Sequence, residues 1–304
     1  MSNIIAIVWD FDKTLIDGYM EDPIFKKFDV NPSEFWKEVN ALPDKYEQEQ
    51  HVKVNKDTIY LNHMLHYVKK GIFKGLNNEM LREFGKELPF YKGVPDIFEL
   101  TKKLIEESPV YNEYDIKVEH YIVSTGLTEV VRGSAVKDYI DGIWGCEFIE
   151  DKDEDGNTII SEIGYTIDNT TKTRALFEIN KGVGKTENVT VNTTLPEEMR
   201  RVHFINMVYV ADGPSDIPAF SVVNQNHGST FAVYPRGDAR AMHQVEKMRK
   251  EGRVNMFAEA DYSEGTTACL WLSDKIKEYA ERIRSEEKQK IERYTASGEV
   301  THLV

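Results

Sequence analysis

The sequence predicts an α/β protein: a mostly parallel sheet flanked by helices, with a helical insertion after the first strand and a β-hairpin projecting from the core. Three observations lead there. The first is Ile4-Ile5-Ala6-Ile7-Val8-Trp9-Asp10-Phe11-Asp12-Lys13-Thr14-Leu15, an apolar run that breaks into two carboxylates. A run of that kind reads as a strand buried on both faces. The second is a set of similar runs, His120–Ser124, Met207–Asp212 and Thr230–Tyr234, each stopping at small or turn-forming residues. The third is the helical spacing between them, as in Pro95–Ile105. Strands alternating with helices give βαβ units and a parallel sheet.

The alternation breaks once, early. Residues 18–91 show helical spacing, as in Tyr60-Leu61-Asn62-His63-Met64-Leu65-His66-Tyr67-Val68, and no convincing strand. They are expected to form a separate helical cap, leaving 1–17 and 92–265 as the core. Glu147–Ile160 places the acidic turn Asp155-Gly156-Asn157 between apolar runs, the pattern of a hairpin. Asp151, Asp153, Asp155, Gly156 and Glu162 fit the letters of an EF-hand loop, but strand-like flanks argue against that reading. Gly182 to Asn206 makes a longer connection than a minimal core needs. Within it, Gly184-Lys185-Thr186 lacks the leading glycine of a P-loop, with Ile179 in its place. Residues 266–304 form a C-terminal helix and tail; Leu270, Trp271, Leu272, Ile276 and Tyr279 are expected to pack. Glu281 to Arg293 is expected to be a solvated or partner-binding extension.

Composition narrows the function. The 304 residues are 40% hydrophobic, enough for a substantial core. Against 52 acidic residues stand 38 basic ones, and the net charge of −14 argues against a nucleic-acid partner. It also means that a phosphate site would need a local cation. No run approaches the ~18 apolar residues of a membrane helix, and Met1-Ser2-Asn3 lacks the basic start of a signal peptide. Cys146 and Cys269 are too few for a disulfide framework, as in a reducing cytoplasm. The Asn-x-Thr sequons at Asn169, Asn188 and Asn192 are then chance matches.

The strand ends supply the chemistry. Asp10 and Asp12, spaced i, i+2, point to one side of an extended chain. In an open α/β sheet, that end of the strand opens onto the ligand crevice. Ser124 closes the second run, Asp212 and Asp216 follow the third, and Lys172 precedes the helical pattern Thr173–Ile179. These types suit phosphoryl transfer. A carboxylate can attack phosphorus, a second acid can protonate the leaving oxygen, and a lysine with Mg²⁺ can offset the growing charge. Taken singly, Ser124 is a commonplace turn residue, and Lys181 or Lys185 could take the place of Lys172.

Together these residues resemble the haloacid dehalogenase superfamily, and within it the phosphoserine-phosphatase-like branch. Asp10-Phe11-Asp12-Lys13-Thr14 is similar to its first motif and Ser124-Thr125-Gly126 to its second. Lys172 matches its third, and Asp212-Gly213-Pro214-Ser215-Asp216 its fourth. The resemblance implies a Rossmann-like three-layer core with a C1-type cap and a hairpin after Cys146. It implies Asp10 as nucleophile and Asp12 as general acid/base, with Ser124, Thr125, Gly126 and Lys172 holding the phosphoryl group. Asp10, Asp12 (through its carbonyl), Asp212 and Asp216 would hold Mg²⁺. Ser215 stands where the branch commonly carries asparagine, which bears on substrate rather than chemistry.

The acid at position 12 favours phosphate esters over carbon–halogen bonds, since a dehalogenase has no alkoxide to protonate. A phosphomutase would use the same residues, and a non-catalytic phospholigand-binding protein could keep the fold. The expected substrate is a small phosphorylated metabolite, because a closing cap excludes polymers. His63, His66 and Tyr67 are the cap residues put forward for contacting it, although aromatics at helical spacing mostly pack.

Overall fold

The computed structural model describes residues 2–298. Seven strands form one sheet: β1 (Ile4–Trp9), β2 (Lys117–Leu127), β3 (Gly142–Lys152), β4 (Thr158–Tyr165), β5 (Met207–Ala211), β6 (Ser229–Tyr234) and β7 (Met256–Glu259). Their order is β4-β3-β2-β1-β5-β6-β7, parallel throughout except for the antiparallel β3–β4 pair. β1 is central, with Trp9 opposite Ile122 of β2 on one side and Val210 of β5 on the other.

The helices are α1 (Asp22–Lys27), α2 (Pro32–Gln50), α3 (Ile59–Lys69), α4 (Asn78–Gly85), α5 (Asp96–Glu106) and α6 (Pro109–Asn112) before β2. After it come α7 (Thr128–Gly133), α8 (Lys172–Lys181), α9 (Ile217–Gln225), α10 (Ala239–Lys250) and α11 (Thr267–Gly298). Strand alternation sorts the core into two layers. Ile5, Ile7 and Trp9 face one apolar cluster with Phe98 of α5 and Tyr279 of α11. Ala6 and Val8 face another with Leu176 of α8, Phe220 of α9 and Val245 of α10. Three layers result, helices on both faces of the sheet.

Residues 18–91 hold four helices and no strand among the described residues. They do not keep an apolar core to themselves: Phe25, Phe35, Met64 and Leu81 belong to the same buried cluster as Ile5 and Trp9. Gly85 and Gly133 let α4 and α7 touch backbone to backbone, and a Cβ on Gly133 would stand 1.8 Å from the Arg82 carbonyl. The hairpin is part of the seam. Ile160 N–H donates to the Leu76 carbonyl at 2.9 Å, and Asn78 Nδ2 donates to the Phe148 carbonyl at 3.1 Å.

Local differences from the sequence expectations have physical causes. β2 runs three residues earlier and later than its apolar stretch, and a bulge between Val123 and Leu127 frees the Ser124–Gly126 turn from the ladder. β3 starts earlier than the hairpin pattern showed because it serves two ladders: Gly142–Trp144 pairs parallel with β2, and Phe148–Lys152 pairs antiparallel with β4. The hairpin tip is closed by Asp153, whose Oδ1 accepts from the Asp155 and Asn157 amides. In α11, Ile283 is buried and Arg282 donates to the Ile205 carbonyl at 2.6 Å, so packing continues past Glu281.

Candidate active site

Asp10 leaves the central strand at its carboxyl end. Its backbone N–H still donates to the Val210 carbonyl at 2.9 Å, while the chain turns sharply, Leu15 N–H reaching back to Phe11 O at 2.9 Å. Lys13 takes a left-handed φ of 55° inside that turn. The sheet therefore fixes the first carboxylate and the turn presents the second.

Lys172 arrives from the opposite layer. It is the first residue of α8, and Leu176, one turn on, packs in the apolar layer beneath the sheet. Residues i and i+4 share a helix face, so the lysine runs over the sheet edge towards Asp10. Its Nζ donates to Asp10 Oδ1 at 2.7 Å and to Asp216 Oδ1 at 2.6 Å, with the side chain 2% exposed. Of the three candidate lysines, Lys172 is the one that reaches Asp10. Lys181 donates to the carbonyls of Val191 and Thr193, and Lys185 lies near Asp141.

Asp216 is fully buried and accepts from three donors. Besides Lys172, Tyr209 donates to Oδ1 at 2.6 Å and Ser215 to Oδ2 at 2.9 Å. Asp10 Oδ2 accepts from Thr14 Oγ1 at 3.3 Å. Asp12 Oδ1 accepts from the Met20 amide at 2.9 Å. Ser124 is buried, its Oγ accepting from Gly126 N–H at 3.1 Å, while Thr125 and Gly126 line the cavity above Asp10.

The charges explain what such a site needs. Asp10, Asp212 and Asp216 present carboxylate oxygens within 4.8 Å of one another. Burial foremost, with Asp10 and Asp216 adding repulsion, pushes the Asp212 carboxyl up to about 7. Burial likewise raises Asp10 to about 6, with Lys172 pulling the other way. Asp12 is held well above the carboxylate range by burial, then by Glu21 and Asp10. Burial would depress the Lys172 ammonium, yet Asp10 and Asp216 outweigh it and hold it up. One buried lysine among these aspartates leaves negative charge uncompensated, and an all-oxygen donor set of this kind fits Mg²⁺.

The cavity over Asp10 measures about 240 Å³. It takes in Asp12, Lys172, Asp212 and Ser215 from the core. Tyr19, Glu21, Trp36, Asn40, Lys56 and Tyr60 close it from the insertion. Tyr60 ties the two parts together, its hydroxyl donating to the Thr125 carbonyl at 2.8 Å. His63, His66 and Tyr67 are absent from this lining. His63 Nε2 and the Tyr67 hydroxyl instead meet Glu38 Oε2 at 2.8 and 2.9 Å, and Glu38, His63 and His66 line a different cavity. The reason is position along the helix as much as phase. Tyr60 opens α3 beside the cavity, and His66 is rotated away from it, whereas Tyr67 lies on nearly the same face about 10 Å further along the helix axis. Sequence reasoning missed Trp36, Asn40, Lys56 and Tyr60 as a set, since three separate segments contribute them. It also missed Tyr209, whose alternation within β5 was the available signal.

A protein of Borreliella burgdorferi, described as uncharacterized, is 38% identical to this chain, covering 90% of it and 97% of its own length. The two belong to one family. No known family's sequence profile matches the chain. Among solved structures, a HAD family hydrolase of Salmonella enterica serovar Typhi superposes with a TM-score of 0.51 at 13% identity, over 84% of this chain and 67% of that one. The fold is therefore the haloacid dehalogenase fold, with its seven-stranded, mostly parallel sheet. A phosphoserine phosphatase in apo form is a looser likeness, at 16% identity and a TM-score of 0.47 over 83% and 92% of the two chains. No helix among the described residues is long and apolar enough to cross a membrane.

Proposed function

We propose that the chain is a Mg²⁺-dependent phosphomonoesterase that works through an aspartyl-phosphate on a small phosphorylated metabolite. One observation carries the reading: a fully buried lysine bridges Asp10 and Asp216 beneath a small polar cavity that Asp12 and Asp212 also line. A buried ammonium shared by two carboxylates costs more than a packed apolar residue would. Its retention makes sense where an anion must be bound and charge must be handled in the reaction.

Asp10, fixed by Lys172 and Thr14, would attack phosphorus and form the acyl-phosphate. Asp12, its side chain steadied by the Met20 amide, would hold a proton for the leaving oxygen and then take one from water. Lys172 would bind a phosphoryl oxygen, joined by Ser124 Oγ and the amides of Thr125 and Gly126. Asp10, Asp212, Asp216 and the Asp12 carbonyl would hold Mg²⁺, which when bound neutralises phosphoryl charge. The insertion would close over the reacting group and keep bulk water out. A volume of about 240 Å³ admits a phosphate with a small leaving group and excludes a polymer.

The test is phosphate release from p-nitrophenyl phosphate and from a panel of small phosphorylated metabolites, with and without Mg²⁺. Mg²⁺-dependent turnover that disappears in Asp10→Asn is the expected result. Turnover that survives the substitution would overturn the assignment of the nucleophile, and its absence in the wild type across the panel would overturn the reading.

A further inference from the structure

α2 and α3 each have two working faces. Trp36, Val39 and Asn40 of α2 and Tyr60 of α3 line the cavity over Asp10. At about 100° per residue, Glu38, Leu42 and Lys45 lie on the opposite face of α2, with Tyr46 at its flank. On α3, His66 and Lys69 lie well round from Tyr60, with His63 and Lys70 on the flank between. These second faces do not interlock. Together with Ser161, Glu162 and Ile163 of β4, they line a separate, open hollow of about 790 Å³. That is more than three times the volume over Asp10 and within the ~300–1,000 Å³ usual for small-molecule sites.

The lining is chemically divided. Leu42, Tyr46, Leu65 and Ile163 supply an apolar wall. Lys45, Lys69 and Lys70 supply three cations, and none of the three has an ion pair among the described residues. The carboxylate beside them is already engaged: Glu38 Oε2 accepts from His63 Nε2 at 2.8 Å and from the Tyr67 hydroxyl at 2.9 Å. Glu162 is the other acid, so three lysines face two glutamates in a chain of net charge −14. A positive, half-apolar hollow in so acidic a protein is complementary to an amphiphilic anion.

We propose that this cavity binds a small organic anion with an apolar body, its carboxylate or phosphate head held by Lys45, Lys69 and Lys70 and its hydrocarbon against Leu42, Tyr46 and Ile163. The site does not depend on the reaction assigned to Asp10. It does share both of its helices with the cavity above that residue, so an occupant stiffens the wall that carries Trp36, Asn40 and Tyr60.

The experiment uses the full chain and 1-anilinonaphthalene-8-sulfonate, an aromatic anion whose fluorescence rises on binding. One saturable site is expected. A Lys69→Glu/Lys70→Glu double variant should weaken it tenfold or more, and Ala41→Phe, which fills the cavity without changing charge, should weaken it similarly. Far-UV circular dichroism melts check that both variants fold. Octanoate or octyl phosphate should displace the probe, the stronger of the two naming the head group. Octanol at equal concentration and orthophosphate with Mg²⁺ should leave it bound. Asp10→Asn should bind the probe like the wild type, which separates this site from the phosphatase assignment. Unchanged binding in both cavity variants, equal displacement by octanol, or displacement by orthophosphate would each overturn the proposal.

Discussion

Acidification gives a quantitative test of how the central sheet is joined to α5. His120 lies fully buried on β2, between Trp9 of β1 and Thr101 of α5. The Trp9 indole N–H donates to His120 Nδ1 at 3.1 Å, and Nε2 stands 3.0 Å from Thr101 Oγ1. An indole can only donate, so Nδ1 carries no proton and the ring is the neutral Nε2–H tautomer. A second proton would sit on Nδ1, facing the indole N–H. Burial foremost, helped by the Lys102 charge, drops this group from 6.5 to about 3. Between those values the unfolded chain binds a proton that the folded chain refuses, so stability falls as pH falls. From pH 7.5 to pH 5 the linkage removes about 2 kcal/mol, and about 5 kcal/mol is its ceiling at lower pH. The assay is urea unfolding at pH 7.5, 6 and 5 for the wild type and His120→Gln, whose amide can still accept from Trp9 and donate to Thr101. Other acids titrate in both proteins and cancel in the difference. The stability gap between the two should narrow by about 2 kcal/mol from pH 7.5 to pH 5. A gap that stays constant would refute the neutral, buried imidazole.

Lys172→Met leaves Asp10 and Asp216 buried without their cation, so turnover of p-nitrophenyl phosphate should vanish. Urea unfolding should also show a loss of about 3 kcal/mol at pH 8, smaller at pH 6, where the Asp10 carboxyl, raised to about 6 by burial, can take up a proton. Asp212→Asn should raise the Mg²⁺ concentration needed for half-maximal activity by tenfold or more, read from a metal titration after chelation. Gly133→Ala puts a methyl 1.8 Å from the Arg82 carbonyl and must separate α4 from α7. A cost of about 2–3 kcal/mol, seen as a fall of several degrees in Tm, is expected. Tyr60→Phe removes the hydroxyl bridging α3 to the Thr125 carbonyl. Its expected stability cost is about 1 kcal/mol, with KM for the ester raised more than kcat is lowered.

Much of the core was legible because its strands are buried on both faces and so appear as unbroken apolar runs. Met207–Ala211 and Ser229–Tyr234 fall within a residue of where the sequence put them. Asp10, Asp12, Lys172 and Asp216 were legible for a related reason: each sits at a strand or helix end, where apolar periodicity stops and a polar residue stands out. β7 was not, because Met256–Glu259 is a four-residue edge strand with little pattern to show. The cap side of the cavity was illegible in a different way. Trp36, Asn40, Lys56 and Tyr60 converge only through the packing of α2 and α3, and the same aromatic spacing serves core and cavity alike. His63 and Tyr67 illustrate this ambiguity, having the chemistry of ligand contacts while both bond Glu38.

The strand β3 has a mechanical consequence. Its first residues are bonded into the parallel sheet, its last ones form the hairpin, and the hairpin is bonded in turn to the segment between α3 and α4. The insertion and the sheet are thus stitched at both ends of one continuous strand as well as through a shared apolar cluster. Among the described residues, such a construction ties melting of the insertion to that of the sheet. Amide exchange in α3, α4 and β1 should report one opening energy rather than a ladder of them, and proteolysis should release no persistent helical fragment. Exchange of substrate preference within this family would then proceed by point changes on α2 and the 51–58 loop, because the cap cannot be traded as a block without unravelling the strand that anchors it.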